Sequence, residues 1–366
     1  HDALPICSFH IDIAPIIIVA FFTTLLVFGT KIGARVDGAM TVLKIAIVFF
    51  VVIVGFFYVK ASNFTPFIPP SQPASTVEGS SAVTGVMTQP LWQFATGMTP
   101  SVYGVPGILS GAALVFFAFI GFDVVATASE ETKNPHKNVP LGIGVGMLLI
   151  IVMYMLVAVV TTGMVSYADL AKQDSPSLAT AFELVGADWA AKIISFGIVL
   201  GLATVVMVLL LGLTRIVFAM SRDGLLPRGL SKTGKHGTPA ALQIVVGAVV
   251  ALVAAFFDIG VLSDMVNIGT LSAFTLVAIS IPIMRKKRPD LPRAFKMPGS
   301  PWIPILIAVA NFWLMLNLSV LTWIRFVVWL VVGFAIYFGY GYWHARLGKG
   351  DLTETLSAET DKAVNG

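Results

Sequence analysis

Two ionisable side chains fall where the chain is otherwise apolar, and they are the residues best placed to do chemistry. Lys44 lies in the apolar run 38–59. Asp123 lies in the stretch GILSGAALVFFAFIGFDVVATASEE, residues 107–131. An aspartate held in a bilayer costs ~2.5–3.5 kcal/mol on insertion scales. Gly121 stands two residues before it, and glycine costs about 1 kcal/mol in a helix relative to alanine. A helix that unwinds here frees backbone carbonyls and N–H groups, which membrane depth tolerates only where they line a cavity. Two half-helix ends then meet, one suited to a carboxylate and the other to an ammonium group, which together would hold a zwitterion. The alternative is a continuous helix with a packing glycine and an aspartate paired to a neighbour. Lys44 also has two readings. It lies about six residues, ~9 Å of helix, from the end of its run, so its stem could snorkel to the interface. Held inside, a lysine lowers its pKa readily and can load and release a proton.

The elements that must position these groups follow from composition. Of 366 residues, 57% are hydrophobic and 11% charged, with mean hydropathy +0.90. Soluble domains carry about 25% charged residues, so a water-soluble enzyme, a secreted domain and a disordered chain are all excluded. A spanning helix needs about 20 apolar residues. That ruler predicts an all-α membrane protein with nine spans, at 11–28, 38–59, 107–129, 140–163, 189–219, 239–257, 262–283, 301–321 and 323–343. With the N-terminus outside, seventeen of the 23 basic residues fall on the inner side, among them Arg285, Lys286, Lys287 and Arg288. Lys60, Lys172 and Arg325 fall outside, and Lys44, Lys192 and Arg215 lie within spans. This asymmetry obeys the positive-inside rule and predicts a multi-pass protein of the cell membrane with a cytoplasmic C-terminus. It also explains the pI near 9.1 without nucleic acid, leaving lipid as the surrounding partner. Residues 60–106, rich in Pro, Ser, Thr and Gly, read as an irregular external loop. Within them Asn63-Phe64-Thr65 matches a glycosylation acceptor. Residues 346–366 read as a polar cytoplasmic tail.

Other chemistries find no residues. One cysteine, Cys7, allows no disulfide framework or thiolate cluster, and none of the five histidines lies within the body of a span. There is no H-E-x-x-H, G-x-S-x-G or P-loop. The expectation is a chain that is not an enzyme and holds no metal or cofactor. Gly339-Tyr340-Gly341 lacks the Thr-Val that precedes such a triplet in a potassium filter, and reads as packing. Gly107 with Gly111, Gly142 with Gly146, and Gly197 with Gly201 have the small-xxx-small spacing of close helix contacts.

The run from Phe116 to Pro140, FFAFIGFDVVATASEETKNPHKNVP, strongly resembles the sixth helix and following loop of the amino acid–polyamine–organocation superfamily, in particular its cationic amino acid transporter branch. Asn63-Phe64-Thr65-Pro66-Phe67 and Arg222-Asp223-Gly224-Leu225-Leu226-Pro227 are similar to further motifs of that family. The likeness runs in order from about residue 11 to 345, which marks 1–345 as the permease transmembrane domain. The resemblance implies the inverted-repeat, leucine-transporter-like fold, with this chain matching helices four to twelve. The odd span count, the missing initiator Met and the external start fit a fragment lacking the first three helices.

The resemblance also implies roles. Phe117, Ala118, Ile120 and Gly121 match the unwound segment whose backbone faces the substrate's amino group. Asp123 matches an acidic position that serves a cationic side chain or proton coupling. Lys44 matches the lysine that replaces a sodium site in proton-coupled members. The implied function is alternating-access transport of an amino acid, cationic by the evidence of Asp123, in symport with a proton. A proton-independent exchanger or facilitator is the alternative within transport. A channel would need a continuous polar pore lining, and a non-transporting membrane partner would need no broken helix.

Overall fold

The computed structural model describes residues 13–28, 30–76, 85–122, 125, 132–173, 176–231, 239–257, 259–289, 297 and 299–345. Among them the chain is mostly helical, because its apolar runs leave backbone N–H and C=O groups no water to bind and a helix satisfies them within the segment. The main helices are α1 (Ile13–Phe28), α2 (Thr30–Phe56), α3 (Leu91–Thr96), α4 (Gly104–Val115), α5 (Pro135–Met164), α6 (Tyr167–Ala171), α7 (Leu178–Leu184), α8 (Asp188–Arg222), α9 (Ala240–Phe256), α10 (Ile259–Lys287), α11 (Trp302–Leu316), α12 (Val320–Ile336) and α13 (Tyr342–His344). Each of the nine apolar runs contains a helix. Among the described residues, five helical stretches are long and apolar enough to cross a membrane by themselves: Gly38–Phe56, Lys137–Met164, Asp188–Arg222, Ile259–Lys287 and Val320–His344. The other four, Ile13–Val27, Gly104–Phe119, Ala240–Phe256 and Trp302–Leu316, are apolar but shorter. Large apolar side chains lie exposed along them, including Phe21, Ile53, Leu148 and Trp329. So much exposed apolar surface marks a lipid-facing one.

The chain divides into two compact units. The first comprises residues 1–37, 203–257 and 327–366. Its core joins Val19, Phe22 and Leu26 of α1 to Met207 and Leu210 of α8 and to Leu242 and Val246 of α9. Gly247 brings α9 so near α1 that a Cβ there would collide with Thr23. In the same unit α12 runs on into a π turn, Tyr337–Gly341, and then α13. The Gly339-Tyr340-Gly341 triplet therefore lies inside helical structure.

The second unit comprises residues 38–202 and 258–326. One of its cores packs Val51 of α2 against Val160 and Met164 of α5, Ala181 and Phe182 of α7, and Ala190 and Ile194 of α8. Another joins Ala113 of α4 to Ile268 and Leu271 of α10, Met315 of α11 and Leu318. Of the small-residue pairs, Gly197 and Gly201 do face α2. A Cβ on Gly197 would strike Ile47, and one on Gly201 would lie 3.8 Å from Lys44 Cγ. Gly111, Gly142 and Gly146 instead meet nothing within 4 Å, so their spacing serves no close helix contact in this unit.

Residues 60–76 and 85–106 contain short ordered elements that composition alone does not predict. Gln72–Pro73 (β1) and Ser101–Val102 (β2) pair antiparallel, with Gln72 opposite Val102. α3 is tied down by Leu91 N–H donating to the Leu318 carbonyl at 3.0 Å and by Trp92 Nε1 donating to Asn317 Oδ1 at 3.0 Å. These partners lie more than 200 residues away along the chain, where no local pattern could announce them.

Candidate functional site

The third apolar run is where the backbone departs from regular helix. α4 ends at Val115, Phe116–Phe119 tighten into a 3-10 turn, and Ile120 is extended at φ −68°, ψ 138°. Gly121 follows at φ +125°, a conformation that favours glycine. A Cβ there would meet nothing within 4 Å, so the glycine answers to the backbone angle and not to crowding. Helix resumes at Phe122. The continuous-helix reading of this run is thus set aside: Phe117, Ala118, Ile120 and Gly121 all fall in the break. Asp123, with Glu130 and Glu131, lies outside the described residues.

A change from α to 3-10 geometry moves each N–H to the carbonyl three residues back and strands carbonyls at the junction. Side chains from two other helices reach them. Tyr154 of α5 donates its hydroxyl proton to the Ala118 carbonyl at 2.8 Å, and its ring meets Phe119 edge-on at 5.0 Å. Asn267 of α10 donates from Nδ2 to the Leu114 carbonyl at 3.5 Å. Asn267 is fully buried, yet its Oδ1 has no hydrogen-bond partner among the described residues. An unpaired buried acceptor costs about 1–3 kcal/mol. One turn earlier on α10, Asp264 Oδ2 accepts from Thr322 Oγ1 of α12 at 3.0 Å. None of Tyr154, Asp264 and Asn267 was predicted from the sequence. A tyrosine and an asparagine are modest departures from an apolar run, but Asp264 in the seventh run was a signal of the same kind as Lys44.

Lys44 lies on α2, half-buried, and its aliphatic stem passes along α8 at Gly201, with Cγ and Cε 3.8 and 3.9 Å from a Cβ built there. A larger residue at 201 would press on that stem.

The other motifs have structural explanations. Asn63 donates from Nδ2 to the Gly163 carbonyl at 2.8 Å, and Lys60 N–H donates to the same oxygen at 2.9 Å. The Asn63 amide that a glycan would need is thus engaged in closing the end of α5. Asn134 adopts a left-handed φ of +50°, which asparagine tolerates better than most residues, and Pro135 then opens α5, where a missing N–H costs nothing. After α8, Leu225 N–H reaches back to the Met220 carbonyl at 2.9 Å, with Gly224 at φ +83°, a Schellman-type stop.

A cavity of about 640 Å³ opens beside the N-terminal end of α4, walled by Phe64, Phe67, Tyr103 and Tyr167 with Ser110 and Thr162. It lies at the end of α4 away from the break, and it holds none of the residues singled out as substrate contacts.

Comparison with known proteins gives these features a context. Residues 10–341 match the family profile described as "Amino acid permease". The chain is 41% identical over 334 residues to "Branched-chain amino acid permease BcaP" of Bacillus subtilis (strain 168), covering 91% of this chain and 64% of that protein. It is 38% identical to "Methylthioribose transporter" of the same organism, covering 91% and 65%. It is 33% identical over 290 residues to "Cationic amino acid transporter 4, vacuolar" of Arabidopsis thaliana, covering 79% and 44%. The chain thus spans less than two thirds of the length of these curated relatives.

Proposed function

Because the chain belongs to the amino acid permease family, we propose that it supplies the greater part of a membrane permease that moves an amino acid by alternating access. The break at Phe116–Gly121 carries this reading. Its freed backbone and the half-helix ends on either side suit a zwitterion at membrane depth. The substrate's ammonium group is taken by the carbonyls of Phe117, Ala118 and Ile120, for which the Tyr154 hydroxyl stands in at Ala118. Gly121 sets the turn, and Asp123 is assigned to a cationic side chain or a proton. Lys44 is the proton-coupling group. Its stem contact with Gly201 supports a lysine held along a neighbouring helix, from which it can discharge and recharge.

In this reading nine helices correspond to helices four to twelve of the inverted-repeat fold, residues 1–345 form the transmembrane domain, and 346–366 form a cytoplasmic tail. The N-terminal end of the chain lies outside. The substrate class has two readings. Asp123 favours a cationic amino acid, as do relatives named cationic amino acid transporters. Two relatives named branched-chain amino acid permeases, at 41% and 30% identity, favour an aliphatic one.

The test is uptake by the full-length protein in proteoliposomes, with labelled L-arginine and L-isoleucine under an imposed pH gradient. One of the two should accumulate above equilibrium and lose accumulation with a protonophore. Lys44→Met should abolish pH-driven accumulation. Undiminished accumulation by that variant removes the coupling role, and absence of uptake for both amino acids removes these substrates.

A further inference from the structure

We propose that Asn267 is a positioning residue for the broken helix, holding the edge of the break from α10 through the Leu114 carbonyl. The inference rests on the reading of the break as the substrate site and adds a residue that the motifs do not contain.

Three observations carry it. Asn267 is fully buried, with one end of its carboxamide on Leu114 O at 3.5 Å and the other on no partner among the described residues. A leucine has the same number of side-chain heavy atoms and would remove the unpaired acceptor, so packing alone gives no reason for an amide here. The contact falls on the last turn of α4, one residue before Val115 gives way to the 3-10 turn. Tyr154 holds Ala118 from α5, so side chains of two separate helices brace the two sides of the same turn. Finally, α10 is itself fixed where this contact is made. Asp264, on the same face one turn earlier, is bonded to Thr322 at 3.0 Å, and Thr322 is linked to Ser319 at 2.7 Å. Ile268 and Leu271 are fully buried in the core that contains Ala113 of α4. A donor on so anchored a helix can set where the break begins, which a donor on a loose one could not.

The experiment uses the full-length protein with Asn267→Leu and Asn267→Val, each of which removes the donor and leaves an apolar side chain that cannot titrate. Three quantities are read: thermal midpoint, amide hydrogen exchange of residues 114–121, and uptake of L-isoleucine and L-arginine. Asn267→Leu should melt at or above the wild-type temperature. Its exchange at the break should change at least tenfold, and its Vmax/KM should fall at least tenfold. Asn267→Val should show the same change confined to the break. Wild-type exchange and uptake in either variant overturns the proposal. So does a change spread along α10 with a lowered midpoint, which would mark a packing role. If the wild type carries neither amino acid, the transport reading fails, and the exchange data still decide whether Asn267 positions the break.

Discussion

At the scale of single residues, the break is set by conformational preference more than by contact. Gly121 has open space where a Cβ would go, and its φ of +125° is one that a side chain makes costly. Holding a non-glycine residue in such a region costs about 1–3 kcal/mol. Alanine also favours continuous helix over glycine by about 1 kcal/mol. Both effects act in one direction, so Gly121→Ala should draw the turn toward regular helix. Hydrogen exchange should show slower exchange at Phe119–Phe122, and uptake by the full-length protein should fall tenfold or more. Retained uptake with unaltered exchange would mean that the strained glycine is not what keeps the turn open. Gly121 was legible because it is expensive in an apolar run. Tyr154 was not, since a tyrosine in a lipid-facing helix costs little, and only the fold brings its hydroxyl to Ala118, 36 positions away.

At the scale of elements, the sequence announced the apolar helices and hid how their ends are fastened. Runs such as 239–257 and 262–283 were readable because hydropathy is a sum over many residues. In the structure one helix ends at Phe256 and the next begins at Ile259, close to the predicted short junction. The short ordered elements within the 60–106 segment could not be read, because their order comes from distant partners such as Asn317. The turn after α8 is the clearest fastening. Gly224 has φ +83°, and a Cβ there would run into the carbonyl of His344 at the end of α13. His344 is itself stacked on Tyr340 with ring centroids 4.1 Å apart. Gly224→Ala therefore meets two penalties: a left-handed residue costs ~1–2 kcal/mol, and a backbone carbonyl must also give way. The variant should melt at a lower temperature, and the Ala345 amide, bonded to Gly341 O at 2.8 Å, should exchange faster. An unchanged midpoint would show that the end of the last helix is free to move off the turn.

At the scale of the whole molecule, the few charges carry more information than the many apolar residues. With nine spans, seventeen basic residues would fall on one side against three on the other, a preference no single loop dictates, since each basic residue near a span end adds its own resistance to translocation. The count holds only if α9 and α10 cross as two spans. Read as one, they would send Arg285–Arg288 to the opposite side from Arg228. This can be checked in the full-length protein with Cys7→Ser and single cysteines labelled by a membrane-impermeant maleimide. Gly229 suits one probe because a Cβ there meets nothing within 4 Å. Ser75 and Lys286 are exposed and suit the others. Ser75→Cys should label in intact cells. Gly229→Cys and Lys286→Cys should both label only after the membrane is opened. Labelling of Gly229→Cys and Lys286→Cys from opposite sides would join α9 and α10 into a single crossing. All three reversed would keep the span count and invert the protein. The charge asymmetry makes that inversion the least favourable outcome, because it would place seventeen basic residues on the far side of the membrane.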